Sequence, residues 1–393
     1  MSRELTADDI GYLRSIPQRV NDFGMHGLDD IVRFLVVALL ADGHVLLEGN
    51  PGLGKTALVK ALSRALGLGP QAVGRIQFTP DLMPADITGS LMPAQDGSNR
   101  LEFQPGPIFH ELLLADEINR ATPKTQAAML EAMAEAQVTV LGQRKRLTRQ
   151  EPGLTAVETP FMVMATQNPI DQDGTFNLPE AQLDRFLFKI RMAMPDAEVI
   201  GAIIGKELGL LAMPETGNDA PHDRKTALRN LDRARRAALS TPIPPSIHTH
   251  IVNIVQASNG AFDQVRGVSS KRLKNLEELC ARIEYPFGPR AATALAKAVL
   301  GWAACVLTPP ETAMESGVHT RPALAQVLLP TLRHRVRLHH AYDQVDLSEA
   351  DTTDAFIRAL AIVTAPDQRM GEDPGGYDER FEQDLSVARG LKA

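Results

Sequence analysis

One glycine-rich stretch of the chain has residue types and a spacing suited to binding phosphate. Residues 49–56 read Gly-Asn-Pro-Gly-Leu-Gly-Lys-Thr and meet the P-loop spacing G-x-x-x-x-G-K-[ST] in full. Glycines let the backbone wrap closely, so that successive N–H groups point at one phosphate chain, and the helix that follows adds its positive dipole end. In this pattern Lys55 reaches the β- and γ-phosphates of a nucleotide, and Thr56 places its hydroxyl on Mg²⁺. The sequence therefore predicts a nucleotide site, whose binding residues are Gly49, Asn50, Pro51, Gly52, Leu53, Gly54, Lys55, Thr56 and Ala57.

A second chemical pattern is a pair of carboxylates at the end of an apolar run. Residues 112–115 read Leu-Leu-Leu-Ala, and Asp116 and Glu117 follow directly. Such a run is typical of a core strand that delivers its acids to the carboxyl edge of a sheet, where ligands bind in α/β folds. Downstream of a full P-loop, we expect Asp116 to hold Mg²⁺, mostly through water, and Glu117 to polarise the attacking water as a general base.

Two further polar residues follow at distances that suit the same site. Asn168 comes after the apolar run 161–165, and an amide there can hydrogen-bond the γ-phosphate or the lytic water. Arg185 stands near the end of a short helix predicted over 178–186, and an arginine suits the charge on a transferring phosphoryl group. A surface ion pair is the alternative role for this arginine.

Short strands and helices must position these residues. Residues 44–48 form a mostly apolar, branched run before the P-loop, and residues 57–62 are good helix formers after it. Residues 75–78, 112–116 and 161–165 are expected to be further strands. The fold class that follows is α/β, with a parallel sheet whose carboxyl edge carries the chemistry.

Composition narrows the functional class. The 393 residues indicate two or three domains, and the net charge of −7 gives no general attraction to nucleic acid or anionic membranes. Two cysteines make neither a disulfide framework nor a metal cluster, and we expect packed thiols in a reducing compartment. With neither a signal-peptide pattern nor an apolar run that spans a bilayer, a cytoplasmic protein without membrane insertion is expected.

Two segments between the predicted elements have the character of insertions. Residues 81–107 are rich in proline and glycine and are long for a connection in a compact fold. Residues 142–146 read Gly-Gln-Arg-Lys-Arg between two predicted strands, which indicates a protruding hairpin with a basic tip. This tip is either a solvated turn or a loop that faces a central pore or a partner.

Together these stretches resemble the MoxR family of AAA+ ATPases, in the branch that also holds MCM helicases and magnesium chelatase subunits. The resemblance covers roughly residues 25–195, and the stretches that carry it are 43–49, 77–82, 113–121, 165–170 and 178–188.

The resemblance implies ATP as the nucleotide and Mg²⁺ as its metal. It implies Walker A at Lys55 and Thr56, Walker B at Asp116 and Glu117, sensor 1 at Asn168 and an arginine finger at Arg185. It also implies a helix-2 insert at about 86–105 and a pre-sensor-1 hairpin within about 137–163.

Beyond residue 195 the resemblance implies an all-α lid. The family begins a lid helix at a Gly-x-x-Pro-Arg-Ala stretch with a sensor 2 arginine, which corresponds here to Arg290, although Gly288-Pro289-Arg290 is shorter than that pattern. The segment 257–284 is longer than expected of the family. The basic run 332–340 is expected to be a solvated helix face rather than a set of metal ligands, and the last segment to be either a docking helix or a frayed tail.

The domain division that follows is a nucleotide-binding core over 1–195, a linker with connecting helices over 196–240, a lid over 241–345 and a C-terminal helix and tail over 346–393. The family resemblance implies an ATPase that remodels a protein client in chaperone fashion, in a homo-oligomeric, hexameric ring and with a von Willebrand A-domain partner. An MCM-like nucleic-acid motor is an alternative, against which the net acidity and the 5% aromatic content argue. A nucleotide-gated scaffold with little turnover is a third, against which Glu117 and Arg185 argue.

Overall fold

The computed structural model describes residues 7–50, 53–93, 100–140, 142–154, 157–168, 175–208, 223–307, 320–339, 349–367 and 376–388. The chain groups into two units, which we name the sheet unit (residues 11–186 and 190–234) and the helical unit (residues 1–10, 187–189 and 235–393). Among the helices of the described ranges, none combines the length and the apolar character that a membrane span needs.

The described strands and helices alternate in the first half of the chain, and helices dominate the second half. The strands are β1 (Val45–Glu48), β2 (Val73–Gln77), β3 (Gly89–Pro93), β4 (Leu101–Pro105), β5 (Leu112–Asp116), β6 (Gln137–Val140), β7 (Gln143–Arg146), β8 (Met162–Gln167), β9 (Phe188–Arg191), β10 (Ile283–Tyr285) and β11 (Arg337–Leu338). The α-helices are α1 (Ala7–Asp22), α2 (Asp29–Leu40), α3 (Lys55–Ala65), α4 (Pro84–Thr88), α5 (Pro123–Glu135), α6 (Glu180–Leu183), α7 (Ala197–Glu207), α8 (Arg224–Ser240), α9 (Pro245–Ser258), α10 (Ser270–Cys280), α11 (Pro289–Trp302), α12 (Thr320–Leu332), α13 (Glu349–Thr364) and α14 (Tyr377–Val387).

A five-stranded sheet with the order β2-β5-β8-β1-β9 lies at the centre of the sheet unit. The neighbours β2 and β5, β5 and β8, and β8 and β1 all pair in parallel, so the carboxyl ends of these four strands meet at one edge. The leucines of β1 and β5 are buried, as the apolar runs at these positions predict. The predicted α/β class is confirmed, and each predicted strand of the sheet is found within two residues of its expected bounds.

A buried histidine ties the sheet to a flanking helix. His44, just before β1, accepts a hydrogen bond at Nδ1 from the backbone N–H of Val163 at 3.1 Å and donates from Nε2 to the carbonyl of Met133 at 3.1 Å. Burial lowers the pKa of His44 to about 4. The ring is therefore neutral and holds β1, β8 and the end of α5 in register.

Two antiparallel hairpins extend from the sheet unit, at the positions predicted to be insertions. β3 pairs with β4, and β6 pairs with β7. Gln143–Arg146 forms the returning strand β7 rather than the tip of its hairpin, so successive side chains of the basic run point to opposite faces. Arg144 and Arg146 are exposed, whereas Lys145 is half-buried with its Nζ 4.6 Å from the centre of the Phe103 ring on β4.

The described part of the helical unit consists of helices around an apolar core, with one short antiparallel pair between β10 and β11. His250 of α9 lies at this core, where Nε2 contacts the carbonyl of Ala361 at 2.8 Å and Nδ1 contacts the hydroxyl of Tyr377 at 3.0 Å. Phe381 and Leu385 of α14 are buried, which supports the docking-helix interpretation of this segment. Both cysteines are buried and free, as expected.

The prediction for the basic run 332–340 is wrong in its first half. Arg333, His334 and Arg335 are buried rather than solvated, and Arg333 pairs with Asp354 of α13 at 2.9 Å. These residues follow the end of α12 into the core, where a carboxylate rather than water pairs with the charge of Arg333. His339 is exposed, and residue 340 lies outside the described residues.

Candidate nucleotide site

The phosphate loop joins β1 to α3 through backbone that requires glycine at two described positions. Gly54 has φ +72° and lies directly before α3, in the left-handed region that side chains disfavour. At Gly49 a Cβ would lie 2.9 Å from the Cβ of Met192, which follows β9. The loop can therefore pass this close to the end of β9 only because Gly49 has no side chain. Pro51 and Gly52 lie outside the described residues. The described part of the loop thus leads from β1 into α3, in the order of strand and helix that the sequence predicts.

Lys55, at the start of α3, directs its ammonium group back across the loop. Its Nζ donates to the carbonyl of Gly49 at 2.7 Å. Burial lowers the pKa of Lys55, and the charges of Asp116 and Glu117 oppose that shift. The lysine thus lies in the field of both acids, at the mouth of the loop.

A cavity of about 530 Å³ lies at the carboxyl edge of the sheet. Its lining contains both halves of the predicted site: the described loop and helix residues, the two acids, and the amide after β8. The residues that line it are Gly49, Leu53, Gly54, Lys55, Thr56, Ala57, Arg75, Gln77, Asp116, Glu117, Thr166 and Asn168. Oxygen donors, amide groups and a lysine therefore face one space, which is the donor set that a nucleotide and Mg²⁺ need.

The two acids are held in different ways by the same threonine. The hydroxyl of Thr166, at the end of β8, donates to Oδ1 of Asp116 at 2.7 Å and accepts the backbone N–H of Glu117 at 2.9 Å. Glu117 has φ 56° and ψ 50°, a left-handed conformation that non-glycine residues seldom adopt. Strain of this kind persists where the surroundings enforce it, and here the hydrogen bond from the backbone N–H of Glu117 to Thr166 helps to hold it.

Side chains from β2 and from the turn after β5 also bond the acids. Arg75 donates from Nη2 to Oδ2 of Asp116 at 2.9 Å and to Oε1 of Gln77 at 2.8 Å. Gln77 donates from Nε2 to Oε2 of Glu117 at 3.1 Å, and Arg120 pairs with the same oxygen at 2.9 Å. Each carboxylate therefore has an arginine partner within the sheet unit, Arg75 for Asp116 and Arg120 for Glu117.

Other predicted site residues lie outside the lining of this cavity. Asn50 is exposed directly after β1. Arg185 is half-buried after α6 and donates to the carbonyl of Leu130 on α5. Arg290 is exposed in the first turn of α11, in the helical unit.

Sequence reasoning missed four residues that contact the acids: Thr166, Arg75, Gln77 and Arg120. Thr166 stands two positions before Asn168, at the end of an apolar run. This position could have predicted that its hydroxyl lies at the same edge of the sheet as the acids. Arg75 and Gln77 stand two apart on β2, and this alternation indicated that both face the same side. Their partners, however, are set by the register in which Gln77 lies opposite Asp116.

Comparison with known proteins agrees with this geometry. Residues 44–188 match the ATPase family associated with various cellular activities (AAA). YeaC of Bacillus subtilis, a protein described as uncharacterised, is 39% identical over 318 residues, which cover 80% of this chain and 84% of YeaC. The chaperone MoxR1 of Mycobacterium tuberculosis is 47% identical over 172 residues, which cover 44% of this chain and 42% of MoxR1, so the match spans less than half the length of that relative.

A solved structure extends the similarity to nearly the whole chain. The crystal structure of a candidate ATPase from Cytophaga hutchinsonii superposes with a TM-score of 0.67 at 27% identity, over 90% of this chain and 96% of that one. The helical region that follows the sheet unit is thus part of the shared fold. On these similarities, the chain belongs to the MoxR family of AAA+ ATPases.

Proposed function

We propose that this protein hydrolyses ATP with Mg²⁺ at the cavity beside the P-loop. The observation that carries the proposal is the convergence of Lys55, Thr56, Asp116, Glu117 and Asn168 on one cavity, although these residues come from two strand ends and one helix. A structural role does not require a lysine, two acids and an amide to face a common space. The shared task of binding and cleaving a nucleoside triphosphate does.

Each residue has a role that follows from its chemistry. The backbone of the loop and the ammonium of Lys55 bind the phosphates, while the hydroxyl of Thr56 and the carboxylate of Asp116 are the oxygen ligands for the metal. When bound, Mg²⁺ supplies neutralisation of the phosphate charge. Glu117 accepts a proton from the attacking water, and the amide of Asn168 orients that water or the γ-phosphate.

Hydrolysis in a homo-oligomeric ring, hexameric by family resemblance, is part of the proposal. Arg185 serves as a finger for the nucleotide of a neighbouring subunit, and Arg290 acts as sensor 2. Support comes from the position of Arg185 outside the lining of its own cavity, since a finger that acts in trans has no need to reach it. The interaction with the carbonyl of Leu130 holds this arginine against the middle of α5 until a neighbour presents its nucleotide.

The two hairpins are proposed to couple ATP hydrolysis to the remodelling of a protein client, as a chaperone does. This activity is proposed to take place in the cytoplasm, with a von Willebrand A-domain protein as partner. The contact of Lys145 with Phe103 supports joint movement of the hairpins, because it links β7 directly to β4. Phe103 in turn packs edge-on against Phe109, with ring centres 5.6 Å apart, shortly before β5. A path of side-chain contacts thus leads from the hairpins towards the strand that carries Asp116.

The proposal is tested with Glu117→Gln, which keeps the shape of the side chain and removes its basicity. Turnover of ATP should fall by about a hundredfold or more, while ATP binding in a direct titration stays near the wild-type value. Glu131→Gln, a substitution of the same kind at an exposed position of α5, is the matched control and should hydrolyse ATP normally. Wild-type turnover in Glu117→Gln would show that Glu117 is not the base.

A further inference from the structure

Arg75 forms an ion pair with the carboxylate of Asp116, at which the metal is proposed to bind. Its guanidinium contacts Oδ2 of Asp116 at 2.9 Å, and Thr166 contacts Oδ1 of the same group at 2.7 Å. Both oxygens of the carboxylate therefore have a donor before any cation arrives. A divalent cation that binds Asp116 must share or displace one of these donors, and the arginine is the one that carries a like charge.

The geometry of β2 explains why this arginine reaches the acid. β2 is the edge strand of the sheet and lies beside β5, with Gln77 opposite Asp116 in the parallel register. Arg75 and Gln77 are two residues apart and lie on the same face. Because Oε1 of Gln77 accepts a second hydrogen bond from the guanidinium, at 2.8 Å, the arginine is oriented towards Asp116.

Arg75 also has space into which it can withdraw. It lines the nucleotide cavity and, with Thr56, a neighbouring cavity of about 830 Å³ that extends along α3 and β2. The Arg75 side chain is 51% exposed, whereas that of Asp116 is 18% exposed. The arginine is thus the partner that can return to water at little cost, while the carboxylate stays in place.

We propose that Arg75 competes with the divalent cation for Asp116 and thereby sets the metal affinity of the site. In the nucleotide-free protein the guanidinium neutralises Asp116, and binding of the metal moves it towards the neighbouring cavity. This role rests on the proposed function, because it takes Asp116 as the metal ligand. Half-exposed ion pairs of this kind contribute little, so the competition should weaken metal binding by up to about fivefold.

The test measures Mn²⁺ affinity by electron paramagnetic resonance with ADP present, a condition in which no hydrolysis takes place. Arg75→Gln should bind Mn²⁺ up to about fivefold more tightly than the wild type. Arg75→Lys keeps the cation and should stay within about twofold of the wild type. Arg120→Gln removes the same charge beside Glu117 without a contact to Asp116, and it should change the affinity less than Arg75→Gln does.

The outcomes separate this inference from the function on which it rests. Unchanged or weaker Mn²⁺ binding in Arg75→Gln would overturn the competition, as would an equal gain in Arg120→Gln, which would show a general charge effect. Asp116→Asn should lose most of the Mn²⁺ binding. If Asp116→Asn keeps its Mn²⁺ binding, the assignment of Asp116 as a metal ligand in the proposed function fails. If Asp116→Asn loses that binding but Arg75→Gln has no effect, only the proposed role of Arg75 fails. Thermal unfolding of each variant confirms that the comparison is between folded proteins.

Discussion

Thr166 offers a direct test of how the site holds its two acids. Replacement by valine keeps the approximate shape of the side chain and removes the hydroxyl that bonds both Asp116 and the backbone of Glu117. Thr166 is 1% exposed, so water has little access to replace either bond on the threonine side. Thr166→Ser retains the hydroxyl and is the matched control.

The expected magnitude follows from the two bonds. A hydrogen bond to a charged group contributes about 1.5–3 kcal/mol and a neutral one about 1 kcal/mol, but Asp116 is partly exposed and recovers some solvation. We therefore expect Thr166→Val to lower the free energy of unfolding by about 2–3 kcal/mol. The left-handed backbone of Glu117 also loses the bond to its N–H, so the general base becomes less well positioned and turnover should fall by about tenfold.

Urea unfolding followed by circular dichroism gives the stability, and steady-state ATP hydrolysis gives the turnover. Thr166→Ser should stay close to the wild type in both measurements. If Thr166→Val and Thr166→Ser were equally stable and equally active, the hydroxyl would have no role in positioning the acids, and the account of Glu117 given above would be refuted.

The remaining predictions concern pH, the client and assembly. The pKa of His44 is lowered from 6.5 to about 4 in the folded protein, so the unfolded chain binds the proton first as the pH falls. The free energy of unfolding should therefore fall by up to about 3 kcal/mol between pH 6.5 and 4. His44→Gln should flatten this part of the profile of urea midpoint against pH, and an unchanged slope would contradict a buried, neutral His44. Neutralising Arg144 and Arg146 together should leave basal ATP hydrolysis near wild type and remove stimulation by a client. If instead the wild type bound single-stranded DNA in a salt-sensitive way and this variant did not, the nucleic-acid motor would be favoured. Arg185→Ala should bind ATP normally and hydrolyse it about 10³-fold more slowly, with partial rescue on mixing with Lys55→Ala subunits; no rescue at any ratio would contradict a finger that acts in trans.

The parts of the site that sequence reasoning found are those whose residues are contiguous. Lys55 and Thr56 end one uninterrupted motif, and Asp116 and Glu117 follow one apolar run, so local spacing was sufficient. The contact between Arg75 and Asp116 spans 41 positions and depends on which strands are neighbours and in what register. No local pattern contains that information.

The errors in the prediction have a similar physical origin. The basic run after residue 332 was expected to be solvated because charge is costly to bury, yet Arg333 has a carboxylate partner, Asp354, on another helix. The basic hairpin was expected to carry its charges at the tip. Instead they lie on a returning strand, whose alternation gives Lys145 a contact with Phe103 and leaves Arg144 exposed. In both cases pairing between distant segments decided the environment of the charge.

The central claim is that the cavity beside the P-loop binds a nucleotide through Lys55. Isothermal titration of ATP with Mg²⁺ against Lys55→Ala tests it most directly, with Lys60→Ala, an exposed lysine on the same helix, as the matched control. The account predicts that Lys55→Ala loses measurable binding and that Lys60→Ala binds as the wild type does, because Lys55 lines the cavity with the loop and the acids and Lys60 does not. Equal ATP affinity in the wild type and in folded Lys55→Ala would contradict the assignment of this cavity as the nucleotide site.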